Sequence, residues 1–102
     1  MAQFDVFRNP RRGAFPLLLD VQADLLSDLA TRVVVPMAPG KSWAAARLSR
    51  LNPIAMVERV EYVLVFQEMA AVPVSMLGPP VVSLTSRRVD LIAALDVLFT
   101  GV

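Results

Sequence analysis

The chain has 102 residues, of which 56% are hydrophobic, a formal net charge of +1 and a mean hydropathy of +0.58. This length predicts a single domain over 1–102, and so apolar a composition predicts self-association, because one small core cannot cover all the apolar surface. The sequence contains no histidine and no cysteine, which excludes Ser-His-Asp and Cys-His triads and the usual zinc ligands. A net charge of +1 gives no strong field for holding nucleic acid or an anionic membrane.

No segment has the pattern of a membrane span or a secretion signal. The longest uncharged stretch, 69–86, is interrupted by Pro73, Pro79 and Pro80, whereas a span needs about 20 consecutive apolar residues. The first residues lack a basic segment before an apolar run. We therefore expect a cytoplasmic protein without a membrane partner.

Three strands are predicted in the first third of the chain. Phe4 and Val6 alternate with Asp5, and this period of two is typical of a half-buried strand. Two short apolar runs bounded by turn residues predict buried strands, and the segment between them is a loop or a single helical turn that contains Asp24 and Asp28. The predicted strands are 3–8, 16–21 and 31–35, the last stopped by Pro36.

The middle of the chain predicts a loop, a short helix and a hairpin. Ala38 to Lys41 form a loop, and helix formers follow it over 42–50. Glu58-Arg59 is the expected turn of a hairpin, although Asn-Gly is the usual pair there. Pro73 cannot donate to a ladder, which places its strand at an edge or a bulge. The hairpin strands are 54–57 and 60–66, and the strand with Pro73 is 72–76.

From Ser86 onward the hydrophobic period changes to that of a helix. Ser86 is a possible cap, and apolar residues recur every three or four positions up to Phe99. The stripe consists of Val89, Ile92, Leu95 and Phe99, widened by Leu91 and Leu98. We therefore predict a mostly β fold with one C-terminal helix that ends near Phe99.

The carboxylates offer little sign of catalysis. Asp20 and Asp24 are conceivable as a catalytic pair, but capping and turn bonding are the ordinary roles of Asp at such positions. Asp90 and Asp96 are six residues apart on the predicted helix and point about 240° apart, so they do not converge. We expect no enzyme activity, no cofactor and no metal.

Two arginine clusters are compatible with either of two partners, single-stranded nucleic acid or an acidic protein segment. Arginines near Trp43 have the mixture of basic and aromatic residues that binds single-stranded nucleic acid. The low net charge favours an acidic protein segment instead, because carboxylates pair well with guanidinium groups. The clusters are Arg8, Arg11, Arg12 and Arg47, Arg50.

Five segments give the chain a resemblance to the CcdB family of toxins, which poison bacterial DNA gyrase. They are 3–7, 19–26, 32–38, 69–75 and 98–102. The resemblance implies an SH3-like antiparallel half barrel with one C-terminal helix, and a homodimer. It also implies a type II toxin-antitoxin system in which the toxin binds the gyrase A subunit and a CcdA-like antitoxin neutralises it.

The resemblance also implies which residues bind each partner, from their positions in the sequence. The residues that contact gyrase are expected in the loop after the second strand and at the end of the chain. Antitoxin contact falls on the two arginine-bearing loops, where a disordered acidic segment would fold on binding. The implied gyrase residues are Leu25, Leu26, Asp96, Thr100, Gly101 and Val102; the implied antitoxin residues are Arg8, Arg11, Arg12, Phe15, Trp43 and Arg47.

Thr100 stands where the family has tryptophan, and this leaves alternatives open. A central tryptophan is a typical interface hot spot. One alternative is therefore a homologue that keeps dimer and antitoxin binding but poisons gyrase weakly or not at all. Another is a ribonuclease, since a related toxin family with a similar half barrel cuts RNA.

Overall fold

A computed structural model describes residues 2–11, 13–43 and 50–102. Within these residues the chain forms seven β-strands and two α-helices, joined by loops and four single 3-10 turns. In chain order they are β1 (Asp5–Arg8), β2 (Leu17–Asp20), β3 (Thr31–Pro39), α1 (Gly40–Trp43), β4 (Ile54–Val57), β5 (Val60–Leu64), β6 (Ala70–Pro73), β7 (Val82–Ser83) and α2 (Arg88–Thr100).

All strand pairs are antiparallel, and β3 is the centre of the sheet. The strand order is β4-β5-β3-β2-β1-β7, and β6 also pairs with β3. The first half of β3, Thr31 to Val34, pairs with β6, and its last three residues, Met37 to Pro39, pair with β5. The sheet forms a half barrel with α2 packed against it. The predicted fold is confirmed.

Apolar side chains cover both faces of this sheet. Successive side chains of a strand point to opposite faces, so Val35 and Met37 of β3 face the main core while Val34 and Ala38 face the other side. The main core includes Leu91 and Ala94 of α2. The opposite face carries two smaller clusters, formed by Phe7, Leu18, Val34 and Leu77, and by Ala38, Val63 and Val65.

The third strand is longer than predicted because Pro36 does not end it. Pro36 pairs with Leu18 of β2, and its carbonyl accepts a hydrogen bond of 2.9 Å from Val65 N. The nitrogen and the oxygen of one strand residue point to the same side, so the ring nitrogen of Pro36 faces Val65 and away from β2. The pairing with Leu18 therefore needs no hydrogen bond from residue 36, and the bond that proline cannot make is the one that would return to Val65 O.

The predicted loop of residues 38–41 was also wrong. Ala38 and Pro39 continue β3, and the helix begins at Gly40 rather than at 42. Residues 44–49 of the predicted helix lie outside the described residues. The predicted strand 72–76 is displaced as well: β6 ends at Pro73, where the chain enters the 3-10 turn Val74–Met76, and it pairs with β3 alone in the described part of the chain.

The hairpin of β4 and β5 is confirmed with the expected turn pair. Glu58 has φ +51° and Arg59 has φ +67°, the left-handed conformation that two-residue hairpin turns require and that Asn-Gly adopts most easily. Arg8 and Glu58 form an exposed ion pair of 3.0 Å at this turn. The sequence thus forms the turn with two residues that are strained there.

The C-terminal helix is confirmed, but its cap and its buried stripe differ from the prediction. Ser86 lies within the 3-10 turn Thr85–Arg87, and Arg87 occupies the N-cap position without a side-chain cap. Leu91 and Ala94 are buried, whereas Val89 and Phe99 are exposed. None of the helices in the described part of the chain is long and apolar enough to cross a membrane.

Candidate functional site

The segment between β2 and β3 presents three leucines to solvent. Leu25 is 92% exposed, Leu26 47% and Leu29 51%. A 3-10 turn over Asp24–Leu26 holds the first two on its surface and buries none of its residues. Burying a leucine side chain is worth about 1.5–3 kcal/mol relative to leaving it exposed. This segment, residues 23–30, is therefore a candidate contact for an apolar partner surface, and we call it the leucine turn.

A buried ion pair lies at the base of the leucine turn. Arg32 and Asp20 have side chains that are 1% and 0% exposed, and Arg32 Nε donates to Asp20 Oδ2 over 2.8 Å. Burial raises the pKa of Asp20, and the hydrogen bonds from Arg32 and from Gln22 N oppose that rise. Asp20 is thus occupied by structural partners. Asp24 is occupied too, since its Oδ1 accepts a 2.7 Å hydrogen bond from Gln3 N.

Gln3 connects the leucine turn to the beginning of α2. Its backbone N–H donates to Asp24, and its Oε1 accepts a hydrogen bond of 3.1 Å from Arg88. Thr100 lies twelve residues further on, about 18 Å along the helix axis. Within one chain the two groups of predicted gyrase residues therefore lie near opposite ends of α2.

The end of α2 presents apolar side chains beside a capped helix terminus. Gly101 has φ +77° and its N–H donates to Val97 O, as is common where a helix ends. The Thr100 hydroxyl donates to Asp96 O over 2.7 Å, so it is turned back onto the helix. Phe99 is 69% exposed and Val102 is 77% exposed. We call residues 99–102 the helix end.

Arg50 contacts the helix end from a distant part of the chain. Its guanidinium donates to Val102 O over 2.9 Å. It also lines a groove of about 530 Å³ between β4 and α2, together with Arg87 and Asp90. Arg87 is occupied there, since it pairs with Asp90 and donates to Ile54 O.

Three of the predicted antitoxin residues, Arg11, Phe15 and Trp43, lie on the side of the sheet away from α2. The rings of Phe15 and Trp43 are 6.2 Å apart, and Arg8 is paired with Glu58. Arg11 is exposed and forms no ion pair with any residue that the structure describes. Arg12 and Arg47 lie outside the described residues. Arg8 alternates with Phe7 in β1 and so lies on the same side of the sheet as Val6. We call Arg11, Phe15 and Trp43 the arginine face.

Sequence reasoning missed a groove next to the arginine face. The groove has a volume of about 220 Å³, and Arg11 and Phe15 line it. Its apolar floor is formed by Leu18, Val34, Pro36, Val72 and Met76. The signal was present in β3, where apolar residues occupy both sets of alternate positions and so make both faces of the sheet apolar.

The described residues contain no group of three or more His, Cys, Asp or Glu side chains placed to hold a metal ion. The exposed features described above are instead the leucine turn, the helix end and the arginine face.

A model of the family described as CcdB protein matches residues 3–101, almost the whole length of the chain. That family comprises toxins of toxin-antitoxin systems. The half barrel and the C-terminal helix are the fold that the resemblance implied. The chain therefore belongs to the CcdB protein family.

Proposed function

We propose that this protein is a toxin that binds the A subunit of DNA gyrase, traps the enzyme on cleaved DNA and is neutralised by a CcdA-like antitoxin. The observation that carries the proposal is the leucine turn. Leu25 is 92% exposed at a position that the family resemblance assigns to gyrase contact. A side chain so exposed contributes nothing to the core, and binding a partner is the way in which its apolar area would leave water.

The helix end supplies the second part of the proposed gyrase contact. Phe99 and Val102 add exposed apolar area there. Asp96 is exposed one turn earlier, and the Thr100 hydroxyl already donates to its backbone carbonyl. An aromatic contact at this end would therefore come from Phe99 rather than from position 100.

We further propose that the protein is a homodimer in which α2 lies at the interface. The helix has apolar residues on the side away from the core as well, where Val89 is 83% exposed. Val89 lies ten residues before Phe99, about 15 Å along the helix axis, so a contact there leaves the helix end free. A second copy would cover Val89, and Val89→Asp should convert the dimer to a monomer in sedimentation experiments, whereas Met56→Asp on β4 should not.

The arginine face is the proposed antitoxin surface. A disordered acidic segment could pair with Arg11 while an apolar side chain enters the neighbouring groove beside Phe15. Its position on the other side of the sheet from α2 separates it from the proposed dimer contact.

The deciding experiment is gyrase-dependent cleavage of supercoiled plasmid by purified protein, with growth of a host that expresses it as a second measurement. We expect wild type to accumulate cleaved DNA held by gyrase, and Leu25→Asp to lose this activity. Met56→Asp is the matched control, because Met56 is also an exposed apolar residue, at 59%, and lies on β4. It should retain the activity.

The same experiment separates the other functions. Wild type that neither traps gyrase nor slows growth would overturn the proposal. If such protein still bound its antitoxin, it would be the homologue that has lost the poison. Cleavage of RNA during prolonged incubation without gyrase would indicate the ribonuclease.

A further inference from the structure

The conformation of the leucine turn is not maintained by hydrophobic packing. Every residue from Ala23 to Thr31 is exposed. The turn has three backbone hydrogen bonds of its own, donated by the amides of Leu26, Ser27 and Leu29 over 3.0–3.2 Å. A single turn of this kind is marginal in water, because so few hydrogen bonds offset the entropy of ordering the chain. Other contacts must hold it in place.

Gln22 supplies the most extensive of these contacts. Its side chain is largely buried, and Nε2 donates to Leu26 O over 3.0 Å. Its Oε1 accepts from Val33 N over 3.1 Å. One carboxamide therefore joins the backbone of the turn to the backbone of β3.

The backbone of Gln22 is itself fixed by the buried ion pair. Gln22 N donates to Asp20 Oδ1 over 2.9 Å, and Gln22 O accepts from Arg32 over 3.4 Å. Asp20 and Arg32 belong to β2 and β3. Gln22 is thus attached to both strands that flank the turn, and its side chain transmits that rigidity to Leu26.

A second, weaker attachment lies at the beginning of the turn. Asp24 accepts the hydrogen bond from Gln3 N, and Gln3 Nε2 donates to Val21 O over 3.1 Å. These contacts are exposed or partly buried. The side-chain bonds of Gln22 to Leu26 and Val33 are partly buried, and its backbone bonds with Asp20 and Arg32 are buried. The attachment through Gln22 is therefore anchored in the interior, where solvent competes least.

We propose that Gln22 is a positioning residue for the leucine turn: by holding Leu26 O against β3 it fixes the turn so that Leu25 and Leu26 are presented in a preformed arrangement to the partner. A preformed loop loses less conformational entropy on association than a mobile one, and so it binds more tightly without making a new contact. The identity of the partner rests on the proposed function, whereas the effect on the turn does not.

The test compares Gln22→Met with Val63→Ala in the full-length protein. Methionine has a similar length but neither donates to Leu26 O nor accepts from Val33 N. Val63 is buried on the opposite face of the sheet, so its truncation lowers overall stability without touching the turn. A second variant, Gln22→Glu, keeps an acceptor for Val33 N and replaces the donor to Leu26 O with a charged oxygen that cannot donate.

Two quantities are measured under conditions in which all variants are folded. The first is amide hydrogen exchange at Leu26, Ser27 and Leu29 in the free protein. The second is affinity for the purified gyrase A subunit. We expect both Gln22 variants to exchange these amides about tenfold faster or more and to bind about tenfold more weakly or worse, and Val63→Ala to match wild type in both.

Unchanged exchange in the Gln22 variants would overturn the proposal. So would faster exchange with unchanged affinity, because the partner would then make no use of the preformed turn. A similar loss of affinity in Val63→Ala would also overturn it, since the effect would be general destabilisation. If wild type does not bind the gyrase A subunit, the proposed function fails, and the exchange rates alone decide whether Gln22 fixes the turn.

Discussion

Arg32 and Asp20 face each other across β2 and β3 with almost no access to water, and Arg32 donates from both Nε and a terminal nitrogen to one oxygen of Asp20. The other carboxylate oxygen accepts from Gln22 N. A buried ion pair rarely stabilises a fold more than apolar residues of similar volume in its place would, because both charges lose their hydration. Its contribution here is geometric, since it fixes the strand ends from which the leucine turn emerges.

Removing one partner of this pair should lower the free energy of unfolding more than replacing both partners does. Arg32→Met leaves the Asp20 carboxylate buried without its cation, and we expect the free energy of unfolding to fall by about 3–5 kcal/mol. Asp20→Asn combined with Arg32→Met removes both charges and keeps an acceptor for Gln22 N, so it should lose less than Arg32→Met alone. Urea denaturation measures both. A double variant that is less stable than the single one would contradict this account.

The raised pKa of Asp20 should make its contribution to stability depend on pH. A carboxyl with a higher pKa in the native state than the ordinary 3.8 binds more protons in the folded than in the unfolded chain between those two values. Stability from this group therefore falls as pH rises from about 3.8 through the native pKa, and is constant above it.

Comparison with Asp20→Asn isolates this effect, because the other titrating groups are shared by both proteins. Unfolding free energies measured between pH 3 and 7 should show wild type losing stability relative to Asp20→Asn as pH rises. The opposite slope would mean that the interactions with Arg32 outweigh desolvation at this carboxyl.

The second strand, the β4–β5 hairpin and the C-terminal helix could be predicted because their signals are local. Their apolar runs and the helical period after Ser86 depend only on neighbouring residues. The first strand is shorter than predicted, since β1 begins at Asp5 and Phe4 before it has φ +71°, and β7 was not predicted. The continuation of β3 through Pro36 could not be predicted, since it depends on two different strands meeting β3 on either side of that residue. Tertiary pairing decided the outcome there.

The candidate site, too, was predictable where its features are local and not where they depend on tertiary pairing. The exposure of Leu25 was consistent with the resemblance, because a short loop between two strands has little room to bury side chains. The role of Gln22 had no local signal. Its hydrogen bonds reach Leu26 and Val33, four and eleven residues away, and only the folded arrangement of β2 and β3 brings those groups together.

Arg59→Gly should stabilise the β4–β5 hairpin. Arg59 has φ +67°, which glycine adopts without the steric cost that a side chain incurs. We expect a gain of about 1 kcal/mol in the free energy of unfolding, measured by urea denaturation. Glu58 and its exposed pair with Arg8 remain intact. Arg11→Gly is the control: Arg11 has no positive φ, so the substitution should be neutral or destabilising, and equal gains in both would refute strain as the cause.

Arg11→Glu should weaken antitoxin binding without affecting gyrase. Arg11 lines the groove beside Phe15 on the sheet face opposite α2, so a reversed charge there would repel an acidic segment while leaving the leucine turn unchanged. Calorimetry with a CcdA-like peptide should show about tenfold weaker binding or more. Gyrase-dependent DNA cleavage should equal that of wild type. A loss of cleavage together with antitoxin binding would mean that the two surfaces are not separate.

Thr100→Trp should strengthen the proposed action on gyrase. Thr100 is exposed, so a larger side chain fits without disturbing the core. A central interface tryptophan is commonly worth about 2–4 kcal/mol, or roughly 30- to 1,000-fold in affinity. The concentration of protein needed for half-maximal DNA cleavage should therefore fall. Thr100→Ala also removes the hydrogen bond to Asp96 O but adds no ring, and it should match wild type. If tryptophan changes nothing, position 100 does not contact gyrase.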